Sequence, residues 1–407
     1  MKMDKSPSSQ NAINSPMPRM PLIALFATAV GIVVLALYAS QPLAGIIGPE
    51  LGLSTSMSGL ATTLTLFGYA VGLIFLVPMT DIVENKRLIL TTLVGDAFAL
   101  FILAISPNGL VFLSASFVVG LLTSAIQMLV PVAASLSSEA HRGRTIGNVM
   151  SGLMLGILVS RPAASLVTQF FGWRYLYGFL GVIVAILTII LQKHIPSLRP
   201  ARRATYWQLV RSLISIIKEE PVLRRRAASQ AMCMGAFGIF WTSVALQLGQ
   251  APFLLGQGGI ALFALAGAAG AIIAPIAGRA GDRGWTRPMT VSAHLAIMFA
   301  LMLAYVGVAV LSNNRSLSLG VLIFAAVILD LGVIADQTLG RRAINLLRPE
   351  ARGRMNGLFT GLFFLGGALG SALSGIVWNA WGWPGICIVG LIFGAFAAAL
   401  SLTKKSD

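Results

Sequence analysis

Twelve apolar runs follow one another along the 407-residue chain. Each is about 20 residues long, the length that crosses a bilayer as a helix. One long basic stretch, 193–228, divides the runs six and six and carries nine Lys and Arg against Glu219 and Glu220. Backbone groups in lipid must hydrogen-bond within their own segment, so each run is predicted to be a helix. The expected fold class is therefore an all-α membrane protein with twelve transmembrane helices.

Composition supports this class and excludes a large soluble domain. The chain is 57% hydrophobic and 10% charged, whereas soluble domains are about 25% charged. The predicted spans are 22–47, 57–80, 87–106, 109–134, 145–169, 173–192, 229–250, 253–279, 288–311, 316–340, 355–378 and 383–402.

Matching connectors indicate that the two halves are repeats of six helices each. Arg142-Gly143-Arg144 precedes the fifth span and Arg352-Gly353-Arg354 precedes the eleventh. Gly-Trp pairs open the sixth and twelfth spans, and paired halves of this kind are typical of carriers. The expected segments are an N-terminal tail 1–21, a six-helix bundle 22–192, a cytoplasmic basic linker 193–228, a second six-helix bundle 229–402 and a C-terminal tail 403–407.

Charge placement predicts the orientation. All 29 Lys and Arg except Arg161, Arg174 and Arg315 fall in segments that share one side of the membrane. Basic loops stay in the cytoplasm, so both termini are expected there. A net charge of +16 can also indicate nucleic-acid binding, but no basic module with interleaved aromatic residues accompanies it. No nucleic-acid partner is therefore expected.

The connectors after the second and eighth spans carry a family signature. The second-half copy reads Gly-Arg-Ala-Gly-Asp-Arg from Gly278 to Arg283, and the first-half copy keeps Asp81 and the basic pair Lys86-Arg87. In these residues the chain resembles the major facilitator superfamily, and among its members bacterial twelve-span drug:proton antiporters. The resemblance covers all twelve spans and implies a multi-pass protein of the bacterial inner membrane.

The resemblance also implies where functional residues lie. Spans two with eleven and five with eight are expected to form the interface between the halves, and spans one, four, seven and ten to line a cavity. Acids in the connectors are expected to latch one closed state through ion pairs. The latch candidates are Asp81, Lys86, Arg87, Asp282 and Arg283.

Ionisable residues inside spans are costly and usually functional. Asp96 lies mid-span in span three, Asp330 mid-span in span ten, and Arg161 in the outer part of span five. Proton-coupled relatives carry an arginine in span four and an acid in span one, and both are absent here. The coupling candidates are therefore Asp330 and Asp96, with protonated or Arg-paired structural acids as the alternative. Arg161 is expected either to bind an anionic substrate or to neutralise a buried acid.

Polar and aromatic residues on the cavity spans are candidates for substrate contacts, with static packing as the alternative. They are Tyr38, Gln41, Gln127, Arg161, Trp241 and Gln337. A mostly apolar pocket with few charges suits a hydrophobic solute that is neutral or weakly cationic.

These features predict a secondary active transporter that moves a small organic solute by alternating access, with efflux coupled to protons. A sugar or metabolite carrier or a uniporter is the alternative within transport. A membrane receptor or a lipid-handling enzyme would need a sensing domain or a catalytic cluster that the sequence lacks. We expect no enzymatic activity, cofactor or metal, and a monomer whose partners are the substrate, protons and lipids.

Overall fold

The computed structural model describes residues 20–199, 205–348 and 351–402. Nearly all of these residues are helical, as the lengths of the apolar runs predict. The helices are α1 Met20–Val33, α2 Leu35–Ala39, α3 Ala44–Glu50, α4 Leu60–Val71, α5 Asn85–Ala104, α6 Gly109–Thr123, α7 Ala125–Ser135, α8 Glu139–Phe171, α9 Trp173–His194, α10 Tyr206–Glu219, α11 Pro221–Gly249, α12 Gln257–Ala264, α13 Ile273–Asp282, α14 Thr286–Tyr305, α15 Arg315–Asn345 and α16 Arg352–Leu402.

Several predicted spans consist of more than one helical piece. The first contains α1, α2 and α3, with a 3₁₀ turn at Gln41–Leu43. The second continues from α4 through a π-helical turn at Gly72–Leu76. Within the described residues, ten continuous helical stretches are long and apolar enough to cross a membrane.

One of the ten stretches, α16, covers both the eleventh and the twelfth predicted spans. Its 51 residues would extend roughly 75 Å as a straight helix, against a bilayer core of about 30 Å. Gly382 interrupts it with φ 58° and ψ −152°, a conformation that a glycine adopts without steric cost. The helix is therefore two segments that meet at Gly382.

The segment predicted as one helix over 253–279 is broken in the structure. It contains the short helix α12, a 3₁₀ stretch Leu265–Ile272 and the helix α13. The sequence Leu-Ala-Gly-Ala-Ala-Gly-Ala-Ile in the 3₁₀ stretch includes Gly267 and Gly270. Glycine is a weak helix former, and a side chain at either position would collide with Asp330 of α15. These two glycines therefore favour the break in the helix and also allow the segment to approach α15 closely.

Glycines allow very close packing of helix pairs within each half. In the first half Gly31 of α1 lies against Gly152 and Gly156 of α8. In the second half Gly366 and Gly370 of α16 lie against the backbone of α11. At each of these positions an added Cβ would stand closer than 3.0 Å to a carbonyl oxygen of the facing helix. Small residues have this role in membrane bundles, where helices gain no hydrophobic energy from leaving lipid.

The halves meet along two seams, α4 with α16 and α8 with α12. These are the pairings expected for spans two with eleven and five with eight.

Part of the basic linker expected at 193–228 is helical. The amphipathic helix α10 places Leu213 and Ile216 in a cluster with Met355 and Phe359 of α16. Its first turn is closed by a capping box in which Thr205 and Gln208 exchange hydrogen bonds. The following helix, α11, begins at Pro221, before the boundary expected at 229. The apolar face of α10 therefore packs on the second half, while Tyr206 at its start donates a hydrogen bond to the Phe75 carbonyl of the first half.

Candidate functional site

A large cavity lies between the two halves. Its volume is about 870 Å³, and its wall runs from the buried residues Tyr38 and Asp330 to the exposed residues Asp282 and Arg352. These exposed residues lie at the end of the molecule that carries the basic connectors, which we call the basic end. The cavity therefore opens at the basic end and ends deep among the helices.

A second cavity of about 650 Å³ adjoins the first at the basic end. It lies between Asp81, at the end of the second span, and Arg354, at the start of α16, beside the contact that Ile74 makes with α16. The two cavities share lining residues, namely Gln127, Met150, Arg341, Asn345 and Thr360. Both cavities therefore lie between the halves towards the basic end.

At the opposite end the same two helical regions touch closely. Gly59 lies against the Ser371 carbonyl of α16, and Gly375 of α16 lies against the Ser56 carbonyl. A Cβ at either glycine would stand closer than 3.0 Å to that oxygen. The cavity is thus open towards one end and closed towards the other, the arrangement that alternating access requires in one of its states.

Asp330 stands at the inner end of the cavity. Its side chain is 3% exposed, and its Oδ1 accepts a 2.8 Å hydrogen bond from the indole Nε1 of Trp241. Gly267 and Gly270 of the broken segment leave the space that the Asp330 side chain occupies. Asp330 therefore comes from α15 and its hydrogen-bond donor Trp241 from α11, and the absence of side chains at the two glycines leaves space for the carboxylate.

Arg161 of α8 faces this acid from the other half and is 5% exposed. Its Nε donates a 2.7 Å hydrogen bond to Gln41 Oε1. Its guanidinium carbon lies 4.3 Å from the ring centre of Trp241 and 5.1 Å from those of Tyr38 and Phe237. Arg161 and Asp330 attract each other electrostatically. Cation–π contacts are strongest where water is excluded, so these three rings help to hold the buried charge.

The structure places five of the six predicted cavity residues on the cavity wall or beside Asp330. Tyr38, Gln127 and Arg161 line the cavity from the first half, and Gln337 lines it from the second. The fifth, Trp241, is linked to the cavity through Asp330, and the sixth, Gln41, lies fully buried behind Arg161.

Asp96 does not reach the cavity. It is fully buried on α5, and among the described residues neither of its carboxylate oxygens has a hydrogen-bond partner. The hydroxyl of Thr123 lies near it without making a hydrogen bond of good geometry. Asp96 therefore belongs to the packing of α5 against the fourth span, away from the Asp330 centre.

The connector residues are placed differently in the two halves. Asp282 accepts a 2.9 Å hydrogen bond from the Nε of Arg342, not from Arg283. Asp81 is exposed on the wall of the second cavity and makes no ion pair within the described parts of the chain, and the same holds for Lys86 and Arg87. Any latch through Asp81 is thus unmade while the basic end is open.

Sequence reasoning missed Arg341. It lies on the same face of α15 as Asp330, and it lines both cavities. Arg341 follows Asp330 by eleven residues, which is three helical turns, and this spacing could have placed both residues on one face of the helix. Tyr69 was also missed; its hydroxyl accepts a 3.3 Å hydrogen bond from Gln127 Nε2.

His294 does not face the membrane surface, where the sequence would allow it to lie. It is fully buried beside Asp336, with 3.3 Å between Nε2 and Oδ1. Cys233 lies 3.6 Å from the other Asp336 oxygen, and Ser229 lies 3.2 Å from the imidazole. The His, Cys and Asp are ligand types that a divalent metal takes, although their mutual hydrogen bonds already satisfy them. This cluster is separate from the cavity wall.

Comparison with known proteins agrees with the geometry. Residues 26–335 match the family model of the Major Facilitator Superfamily. The chain is 34% identical over 369 residues to the putative uncharacterized transporter YgaY of Escherichia coli K12. The aligned region covers 91% of this chain and 92% of that protein. It is 29% identical to the probable transporter SCO4007 of Streptomyces coelicolor, over 94% of this chain and 87% of the relative.

Solved structures share the fold at low identity. A bacterial homologue of the human lysosomal transporter Spinster, solved inward-facing and unoccupied, superimposes with a TM-score of 0.72 at 14% identity, covering 94% of this chain and 96% of that one. The nucleoside transporter NupG, solved as a point mutant, gives 0.70 at 14% identity, covering 93% and 98%. The family match extends over most of the chain, so this protein belongs to the Major Facilitator Superfamily and is a multi-pass membrane protein of a transporter family.

Proposed function

We propose that the chain is a secondary active transporter that moves a small organic solute through the central cavity by alternating access. The observation that carries this proposal is the position of Asp330, at the inner end of a cavity that is open at the basic end and closed at the other. A volume of about 870 Å³ lies within the 300–1,000 Å³ range of small-molecule sites.

Asp330 is proposed as the coupling acid. It is the cavity acid that faces the other half, because Asp282 lies at the mouth and pairs with Arg342. A proton on Asp330 changes the charge opposite Arg161, which belongs to the other half of the protein. Protonation therefore alters the attraction between the halves, and a ligand-driven change of state needs such a differential interaction.

The membrane arrangement is part of the proposal. The expected fold has twelve spans in two six-helix halves. This count requires that the two segments of α16 on either side of Gly382 each cross the membrane, and that the broken segment 257–282 crosses it once. The lengths of the ten continuous stretches and the break at Gly382 support this count. We further propose the bacterial inner membrane, with the basic end and both termini in the cytoplasm. The direction of transport, efflux coupled to protons, remains a prediction.

Transport into proteoliposomes with an imposed pH gradient, screened over anionic, neutral and cationic solutes, tests the proposal. We expect at least one solute to accumulate against its gradient in wild-type vesicles. Asp330→Asn, which keeps the shape and loses the charge, should abolish accumulation while solute exchange at equal concentrations continues. Imposing the pH gradient in each direction shows whether solute and proton move together or in exchange.

Asp96→Asn is the matched control, because it removes another buried membrane carboxylate that lies outside the cavity. It should leave accumulation intact at equal protein levels. Loss of accumulation in Asp96→Asn with retention in Asp330→Asn would move the coupling role to α5. Accumulation in both variants would instead place the coupling on another proton-binding group or another ion, and wild-type exchange without accumulation would favour a uniporter. Exchange of no solute at all would contradict the transport proposal.

A further inference from the structure

We propose that the transported solute is an organic anion, a carboxylate or sulfonate on an apolar body, and that its charged group binds first Arg341 and then Arg161 as it enters the cavity. This inference rests on the proposed transport function and specifies its substrate class. It differs from the neutral or weakly cationic solute that the apolar cavity spans suggest, and it takes up the anionic alternative that the sequence leaves open for Arg161. The argument comes from how the charged groups of the cavity are already engaged.

Four arginines and two aspartates line the cavity, so its wall has an excess of positive charge. The two arginines near the mouth are occupied. Arg342 pairs with Asp282 at 2.9 Å, and the Nε of Arg352 donates to the backbone carbonyl of Asn345 at 3.0 Å. The deeper arginines, Arg161 and Arg341, are the ones with a buried donor that has no partner in the described chain.

Arg161 is the first of these. Its Nε is used by Gln41, but its Nη2 is buried and has no hydrogen-bond partner within the described chain. Asp330 attracts it without forming a hydrogen bond to it, since the described Asp330 bond comes from Trp241. An unsatisfied buried donor is costly. Arg161 also lines the cavity, and a guanidinium matches the two oxygens of a carboxylate.

Arg341 is the second. It lines both cavities, its Nε is buried without a partner, and the arginine makes no hydrogen bond or ion pair in the described segments. It lies on the same α15 face as Asp330, nearer the basic end. An anion that enters from the basic end therefore passes Arg341 before it reaches Arg161.

The rest of the wall fits an apolar body. Aliphatic and aromatic side chains surround the arginines on both halves. They include Leu37, Leu153, Ile157, Met234, Phe237 and Phe364. Sites of this kind combine an apolar lining with a few fixed polar groups that set orientation.

The inference has a consequence for coupling. Asp330 is surrounded by Arg161 of α8, Trp241 of α11 and Tyr38 of α2, with Gly267 and Gly270 on its remaining side. An anion bound at Arg161 competes with the Asp330 carboxylate for the same positive charge. The anion therefore binds best when Asp330 is protonated, which corresponds to anion and proton moving in the same direction. Exchange in opposite directions would suit a neutral or cationic solute.

Titration calorimetry on the purified full-length protein tests the inference with matched probes. The probes are 1-naphthoate with 1-naphthamide, and benzenesulfonate with benzenesulfonamide. We expect each anion to bind at least tenfold more tightly than its neutral partner. Arg161→Gln should weaken anion binding roughly ten- to hundred-fold, as expected for lost charged hydrogen bonds, and leave the amide affinity unchanged.

Arg341→Gln is the second variant. Arg341 is less buried than Arg161, so its replacement is less disruptive to folding. It should reduce the same preference for the anion. Arg211→Gln is the matched control, since Arg211 is exposed on α10 and its replacement removes the same charge outside the cavity. Asp330→Asn should tighten naphthoate binding by removing the competing carboxylate.

Equal affinity for the anion and its neutral partner overturns the inference. So does an anion preference that survives in both arginine variants, and so does failure of both anions to bind. The proposed transport function is tested separately. A wild-type protein that accumulates a neutral or cationic solute in the proteoliposome screen would leave that function standing while the anion inference falls.

Discussion

Replacing Gly59 or Gly375 by alanine is expected to destabilise the closed end of the cavity. The new Cβ would stand closer than 3.0 Å to the carbonyl of Ser371 or of Ser56, and backbone cannot move aside as a flexible side chain can. Overpacking of this kind costs about 1–3 kcal/mol. That cost falls only on the state in which the two segments touch.

The equilibrium between states should therefore shift by a factor of roughly 5 to 150 towards opening at that end. Spin labels at the exposed residues Ser54 and Asn313, one in each half, report the separation by pulsed electron resonance in a background lacking Cys233 and Cys387. We expect a longer-distance population to grow in both alanine variants.

Gly48→Ala is the control, because an added Cβ there has nothing within 4 Å. Its distance distribution should match that of the wild type. An unchanged distribution in Gly59→Ala and Gly375→Ala, with normal folding, would refute the reasoning that these contacts define the closed end.

Three further predictions concern the basic end. Asp81→Asn and Asp282→Asn should slow transport without loss of folded protein; full rates in both variants at equal membrane levels would remove the latch hypothesis. Cysteines placed in 193–228 should react only with reagents that reach the cytoplasm, and labelling from the other side would reverse the orientation. Hydrogen bonds from Ser215 and Arg348 lower the pKa of Glu219. The contact that Glu219 of α10 makes with Arg348, in the connector between α15 and α16, should therefore persist at pH values below the usual glutamate pKa. It should weaken only as pH falls through the lowered pKa. Distance measurements across that contact at decreasing pH check this, and loss of the contact near the ordinary glutamate pKa would contradict it.

Most of the helical architecture could be predicted because membrane insertion imposes strong rules on sequence. Apolar runs of bilayer length must be helical, and the structure has helices throughout those runs. The break in 253–279 could not be predicted from hydropathy, because two glycines within an otherwise apolar run leave the run long and apolar enough to cross a bilayer. Their effect depends on Asp330 in a neighbouring helix, which is a tertiary contact.

The candidate site shows the same division. Asp330, Arg161 and Trp241 were identifiable because charged and polar residues are rare in membrane spans. Their mutual contacts were not, since depth along a helix does not determine which helices face each other. The estimated depth of Arg161 gave no indication that it would stack on Trp241 of the other half.

His294 illustrates a different limit. Its place near the end of a span is compatible with a headgroup contact, and only the packing of α14 against α11 and α15 buries it beside Asp336. Arg341, by contrast, was within reach of sequence reasoning, because it continues the polar face of α15 that Asp330 and Gln337 begin.

The most direct test of the central claim is proton movement driven by solute. Vesicles that contain the protein and an internal pH-sensitive dye are given a gradient of a transported solute with no initial pH difference. The account predicts that wild-type protein changes the internal pH as solute moves, whereas Asp330→Asn moves solute down its gradient with no pH change. Equal pH changes in wild type and Asp330→Asn would contradict the assignment of Asp330 as the coupling acid.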